Sequence, residues 1–216
     1  APIRVAVSRD DFGFGLHSEV ATALDRAASA LSDAGYAVET VEPPLARETG
    51  EDGYRALMGE VKALIGPDIH QYGSVGLNTI FEEYYRQFPP YEGTELVTML
   101  AKRTHYMREW SLFLEDYPLV LTPLLLQPFF APGRDAEGPE GVRDALGGAH
   151  WSFVMNFLGL PAGNLPTHIA DLPTGPQPIG VQIAGRRWRE DLIVDAMQAI
   201  ETVISPACET LWKRLA

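Results

Sequence analysis

Hydrophobic and polar residues change their period several times along the chain, and each change marks a different element. Ile3, Val5 and Val7 alternate with Arg4, Ala6 and Ser8, the two-residue period of a strand. Ser18 is placed to cap a helix whose apolar face is Val20, Leu24, Ala27, Ala28 and Leu31. Gly35 stops it. The stretch YAVETVEPP reads as a second strand ended by Pro43 and Pro44. Residues 1–45 therefore predict a βαβ unit with parallel strands and a right-handed crossover.

From 46 to 116 the pattern turns helical. Tyr54, Leu57, Met58, Val61, Leu64 and Ile65 share one face, and Gly66-Pro67 ends that run. A second helix is expected from Asn78 to Gln87. A third is expected from Thr94 to Glu115, with a stripe of Leu96, Leu100, Met107, Ser111 and Leu114, stopped by Pro118.

Residues 117–205 predict the core strands and a closing helix. LVLTP is a short uncharged run of the buried-strand kind. APGRDAEGPEG reads as a loop, and Asp144–Phe157 as a helix weakened by Gly147-Gly148. In MNFLGLPAGNLP, Gly159 stops a helix and Leu160–Pro166 leads into a buried strand. Pro161 and Pro166 lack backbone donors, so this run is not an ordinary central strand, and Gly163 permits a close approach or a bulge. Ile179, Val181 and Ile183 then face one side of a strand while Gly180, Gln182 and Ala184 face the other. The last helix carries Leu192, Ala196, Ile200 and Val203, with Glu190 and Asp191 at its N-terminus and Ser205-Pro206 at its end. The chain is read as one α/β unit, a mixed and largely buried sheet flanked by helices.

The charge balance adds exclusions. With 29 acidic and 17 basic residues the formal charge is −12, which argues against a general nucleic-acid surface. No apolar run is long enough to span a bilayer, and APIRVAVSRDD does not read as a signal peptide. Cys208 is the only cysteine, expected as a partly buried inert thiol, and a reducing, cytoplasmic setting fits it best.

Residue types alone supply no catalytic set. None of Ser8, Ser18, Ser29, Ser32, Ser74, Ser111, Ser152 and Ser205 sits in a nucleophile elbow, precedes a lysine by three, or adjoins another serine. His17, His70, His105, His150 and His168 have no metal-ligand spacing and read as solvated or satisfied, so no metal or cofactor is expected. Glu82-Glu83 reads as an exposed charged edge, and DDFGFGLHSE as a faint echo of a dinucleotide loop without its third glycine.

Four stretches do carry a resemblance: YPLVLTP (Tyr117–Pro123), NFLGLPAGNLP (Asn156–Pro166), GPQPIGVQIAG (Gly175–Gly185) and REDLIVDAMQAIE (Arg189–Glu201). In this order and spacing they resemble the amidase signature hydrolases, and the opening βαβ segment is similar to the part that follows that family's catalytic core. The resemblance covers only the family's C-terminal half. It implies hydrolysis of a carboxylic amide by a Ser–Ser–Lys triad that this sequence lacks; its lysines are Lys62, Lys102 and Lys213. No catalytic residue is assigned. The resemblance also implies that loops of this half wall the acyl pocket, with Thr122, Pro123, Leu126, Gln127, Trp151, Phe157 and Gln182 as candidates. The polar Gln182 in an apolar strand wants a partner. The implied partners are a small amide substrate and a missing N-terminal half, or an oligomer partner, over an exposed apolar face. The other readings are a non-catalytic binding module and a protein resembling one subunit of an amidotransferase.

Overall fold

The computed structural model describes residues 1–204 and 206–215. The elements run β1 (Arg4–Val7), α1 (Ser18–Asp33), β2 (Ala37–Thr40), α2 (Ala46–Leu64), α3 (Gly66–Tyr72), α4 (Val75–Gln87), α5 (Gly93–Asp116), β3 (Leu119–Pro123), α6 (Pro139–Gly148), α7 (His150–Leu158), β4 (Ala162–Leu172), β5 (Gly175–Gly185), α8 (Glu190–Val203) and α9 (Ala207–Leu215). The sheet order is β2-β1-β3-β5-β4. β1 is parallel to β2 and to β3, while β3–β5 and β5–β4 are antiparallel. The mixed sheet expected from the sequence is thus the observed one.

Alternation within the strands sorts two apolar layers. Val5, Val7, Leu119, Leu121, Val181 and Ile183 pack on one face with α1 and α8. Ala6, Val120 and Ala184 point to the other, under Met99, Tyr106, Trp110, Trp151, Val154 and Leu158 of α5 and α7. A satellite cluster of Tyr54, Met58 and Phe88 joins α2 to the end of α4.

Several local expectations change. His17, not Ser18, caps α1: its Nδ1 accepts from the Glu19 amide at 3.2 Å. Gly66-Pro67 does end α2, but Pro67 also opens α3, since a proline in the first turn removes a donor that has no helical acceptor anyway. α5 buries Met99, Tyr106, Trp110 and Leu114, and Leu100 is exposed. The helix is turned because Tyr106 finds a buried acceptor: Asp52 of α2 takes hydrogen bonds from Tyr106 Oη (2.5 Å), Tyr91 Oη (2.8 Å) and Lys102 Nζ (2.8 Å).

The segment read as one helix over 144–157 is two, α6 and α7, broken at Ala149. α6 begins at Pro139, inside the expected loop. Glu83 is 8% exposed rather than at a solvated edge, and it accepts from Gln87 Nε2 at 2.7 Å and from Arg86. α8 buries Ile193 in place of Leu192, and Val203 is exposed. Cys208 is exposed, not partly buried. The expected stop at Ser205 falls on a residue outside those described.

The run from Leu160 does not become a buried strand. It forms β4 at the sheet edge, where a proline without a donor is tolerated, with a register slip between Pro166 and His168. Gly163 is a close approach: a Cβ there would overlap Met197 Sδ and lie 3.0 Å from Ile193 Cγ2 of α8.

Asp52 ties α2 to α5. Burial alone raises its carboxyl, but the bonds from Lys102, Tyr106 and Tyr91 outweigh that and hold it below the ordinary carboxylate value. We expect Asp52→Ala to lower stability by about 1–3 kcal/mol in urea unfolding, because the buried Tyr106 hydroxyl loses its acceptor. Asp52→Asn, which keeps an acceptor oxygen, is expected to lose less.

Candidate active-site wall at the end of β3

Thr122 and Pro123 close β3, and the chain beyond them turns under α6 and α7. Thr122 faces Gln182 across the β3–β5 ladder. Both side chains are buried, and Gln182 Nε2 donates to Thr122 Oγ1 (3.3 Å) and to the Trp151 carbonyl (3.4 Å). The polar residue in an apolar strand therefore has its partners. Trp151 is buried as well, and its Nε1 donates to the Asp10 carbonyl at 2.9 Å. Leu126 is held by backbone on both sides: its amide donates to Gly148 O (2.8 Å) and its carbonyl accepts from His17 N (3.0 Å).

A cleft of about 400 Å³ lies among the residues that follow β3, lined among others by Phe14, Leu125, Gln127, Phe130, Arg134 and Asp144. Gln127 Nε2 donates to Gly15 O at 2.8 Å, which fixes the side chain and leaves Oε1 as its remaining acceptor. Arg134 is neutralised by Asp144 (2.8 Å) and Glu137 (2.8 Å). The lining is therefore aromatic and amide in character, with Arg134 held between two carboxylates at its rim.

The seven residues singled out from the sequence separate here. Gln127 lines the cleft. Thr122, Pro123, Leu126, Trp151 and Gln182 are buried and do not line it. Phe157 lies elsewhere, near the C-terminal end of α7. There its ring packs where a Cβ on Gly53 would be (2.9 Å to Cγ), and its carbonyl accepts from Arg103 Nε.

The DDFGFG loop also borders the cleft through Phe14. Phe12, Gly13 and Gly15 all have positive φ (53°, 81° and 85°). The amides of Phe12 and Gly13 donate to the Asp10 and Asp11 carboxylates at 2.8 Å each. These donors face their own aspartates, so the loop is a tight corner and not a phosphate cradle.

His150 is the residue that sequence reasoning misjudged. It is not solvated: it is fully buried, and neither ring nitrogen makes a well-formed hydrogen bond among the described residues, with only a weak interaction with the Arg47 backbone favouring its charged form. Its ring lies 4.0 Å from Phe12, 5.9 Å from Phe14 and 5.8 Å from Tyr54. It also occupies the space beside Gly50, where a Cβ would overlap its Nε2. The signal available in the sequence was Gly50 and Gly53, three residues apart in one helix, which marks a face that something packs against closely. Burial pushes the imidazole down to about 4.

The fold is shared with known proteins. The chain belongs to the amidase family, whose model matches residues 1–194. It is 29% identical over 215 residues to an indoleacetamide hydrolase of Bradyrhizobium diazoefficiens, covering 99% of this chain and 40% of that protein. It is 24% identical to a glutamyl-tRNA(Gln) amidotransferase subunit of Moorella thermoacetica, covering 92% and 44%. Among solved structures, 6-aminohexanoate cyclic dimer hydrolase matches with a TM-score of 0.71 at 22% identity over 95% of this chain and 46% of that one. Kluyveromyces lactis allophanate hydrolase matches with 0.74 at 15%, over 95% and 33%. The amidase fold is shared, and the chain spans under half the length of these relatives.

Two outcomes follow from the His150 pocket. The unfolded imidazole takes up a proton below about 6.5 while the folded one stays neutral down to about 4. Stability is therefore full above pH 6.5 and falls as pH drops toward 4, by on the order of 3 kcal/mol from this group. Denaturant titrations at several pH values measure this, and His150→Phe is expected to flatten the slope. Gly50→Ala is expected to destabilise by about 1–3 kcal/mol despite alanine's better helix propensity. The cost should shrink when His150→Ala is combined with it, which a double-mutant cycle reads directly.

Proposed function

We propose that this chain is the C-terminal portion of an amidase that hydrolyses a carboxylic amide to an acid and ammonia or an amine. The Ser–Ser–Lys triad lies outside this sequence, and this portion supplies the fold and the walls of the substrate pocket. The observation that carries the reading is the cleft beyond β3: an aromatic and amide-lined space whose one cation, Arg134, is already paired with carboxylates, in a chain matched to the amidase family over residues 1–194. A neutral amide with an apolar acyl group suits such a lining. In this reading Gln127 Oε1 accepts from the substrate amide, and Phe14 and Phe130 contact the acyl group.

A reading as part of an amidotransferase has support from the amidotransferase relatives. It differs in what consumes the released ammonia rather than in the bond that is cut. The apolar surface also fits a portion that is covered in a larger assembly. Leu64, Tyr72 and Val75 are 77%, 76% and 86% exposed, and α3 buries none of its residues. The cover is either the N-terminal half of the enzyme or an oligomer partner.

Ammonia release from benzamide and indole-3-acetamide is the test. The chain alone is expected to give no turnover; turnover that survives replacement of all eight serines would sink the assignment of the triad elsewhere. Benzamide is expected to bind the isolated chain weakly at the β3 cleft, and Gln127→Ala to weaken it about three- to tenfold, as for one lost hydrogen bond. Binding unaffected by both Gln127→Ala and Phe14→Ala would count against this cleft as the acyl site.

A further inference from the structure

The cleft beyond β3 has a neighbour. A second cleft, of about 420 Å³, is lined by Phe14, Glu51, Arg55, Gln87, Phe88 and Arg143. Asp144 and Ala145 of α6 line the first cleft and Arg143 lines the second, so different faces of this helix border the two spaces. Phe14 completes the divide: among the described residues it alone lines both clefts. Its ring is seated on α6 at Gly147, where a Cβ would overlap the ring at Cδ1.

Phe14 is held from both sides. Gln127, which lines the first cleft, donates through Nε2 to Gly15 O at 2.8 Å. Arg143, which lines the second, donates to Gly13 O at 2.6 Å. The Phe14 amide closes a turn on Asp11 O at 2.8 Å. These three bonds fix the backbone on either side of the ring. The ring itself is fixed by its seat at Gly147 and by the Arg143 guanidinium, which lies 4.9 Å from its centroid. Moving the ring aside gives up contacts with both walls at once, so it acts as a fixed partition and not as a swinging gate.

We propose that Phe14 determines which amides are accepted: its ring is the end wall of the acyl site and restricts the substrate to compact acyl groups, of one ring or a short chain. This rests on the reading of the β3 cleft as the acyl site. That cleft, at about 400 Å³, lies toward the lower end of the roughly 300–1,000 Å³ of ligand sites. A compact acyl group ends before the wall, whereas an extended one meets the ring. Behind the ring stand Phe88 and the apolar stems of Arg55 and Arg143, a surface that suits a hydrocarbon chain. Truncating Phe14 joins the two spaces and lets an extended acyl group continue into the second.

Benzamide and 6-phenylhexanamide, titrated separately into the ¹⁵N-labelled chain, test this. The side-chain amide of Gln127 reports on the first cleft and that of Gln87 on the second, each identified by its loss in the alanine variant. In the parent, benzamide is expected to shift Gln127, and 6-phenylhexanamide to bind more weakly and leave Gln87 unmoved. In Phe14→Ala, 6-phenylhexanamide is expected to shift Gln87 as well, and its affinity relative to benzamide to rise at least about tenfold as methylenes enter the second cleft. Phe14→Leu, a milder truncation, is expected to give an intermediate ratio, and near-ultraviolet circular dichroism verifies that both variants fold. The proposal is overturned, with the acyl-site reading left standing, if benzamide shifts Gln127 but the folded variants keep the parent's ratio, or if 6-phenylhexanamide already shifts Gln87 in the parent. If benzamide leaves Gln127 unmoved in the parent, the acyl-site reading falls and the role of Phe14 with it.

Discussion

Every other feature of this protein is arranged around a strand that has no free side. All five residues of β3 are buried, with β1 hydrogen-bonded along one edge, β5 along the other, and a helical layer on each face. A strand enclosed in this way offers a ligand nothing along its length, because its backbone groups are engaged by neighbours on both edges and its side chains are packed. Only its two ends can carry chemistry. The cleft bordered by Gln127 lies beyond one of them.

The enclosure also explains how the layers are held at fixed distance. Where β3 passes from a parallel neighbour to an antiparallel one, Gln182 bridges Thr122 and the Trp151 carbonyl, joining two strands to α7. Trp151 then reaches Asp10 after β1. These bonds link three of the five strands to one helix. The two bonds of Gln182 are made between buried groups, so losing either strands a partner in an apolar setting. On the outer side of α7, glycines of α2 let the helices approach until aromatic rings replace the missing Cβ atoms. Polar bridging on one face and close packing on the other leave α7 little freedom to shift.

Much of this was legible in the chain itself. The alternation of β1, the two-faced pattern of β5 and the isolated glutamine at 182 each pointed to what the structure contains, because each depends on neighbours close in sequence or on a strong local period. The resemblance of four stretches to the amidases also held. The orientation of α5 was not legible. Its stripe is decided by Tyr106 finding Asp52, a residue 54 positions away, and a hydrophobicity pattern gives a tyrosine no credit for a distant acceptor. His150 was misjudged for a related reason: its burial depends on a glycine about a hundred residues earlier. Phe157 was named with Trp151 as a candidate on the segment after β3, but six residues along a helix carry a side chain well away from its neighbour's surroundings. Of the seven candidates, Gln127 is the one that lines the cleft beyond β3.

The outer boundary of the sheet has a consequence for how the molecule meets other chains. β4 is an edge, and it lacks a backbone donor at Pro166 and changes phase before His168. The opposite edge, β2, is only four residues long and carries Glu39 in an ion pair with Arg4. A foreign strand laid against β4 loses its phase midway, and one laid against β2 runs out of length within four residues. Neither border is a good template for continuous cross-chain pairing, the route by which open sheets assemble into fibres. Association of this chain is thereby steered away from its backbone and toward its helices, where contacts are made by side chains and can be selective.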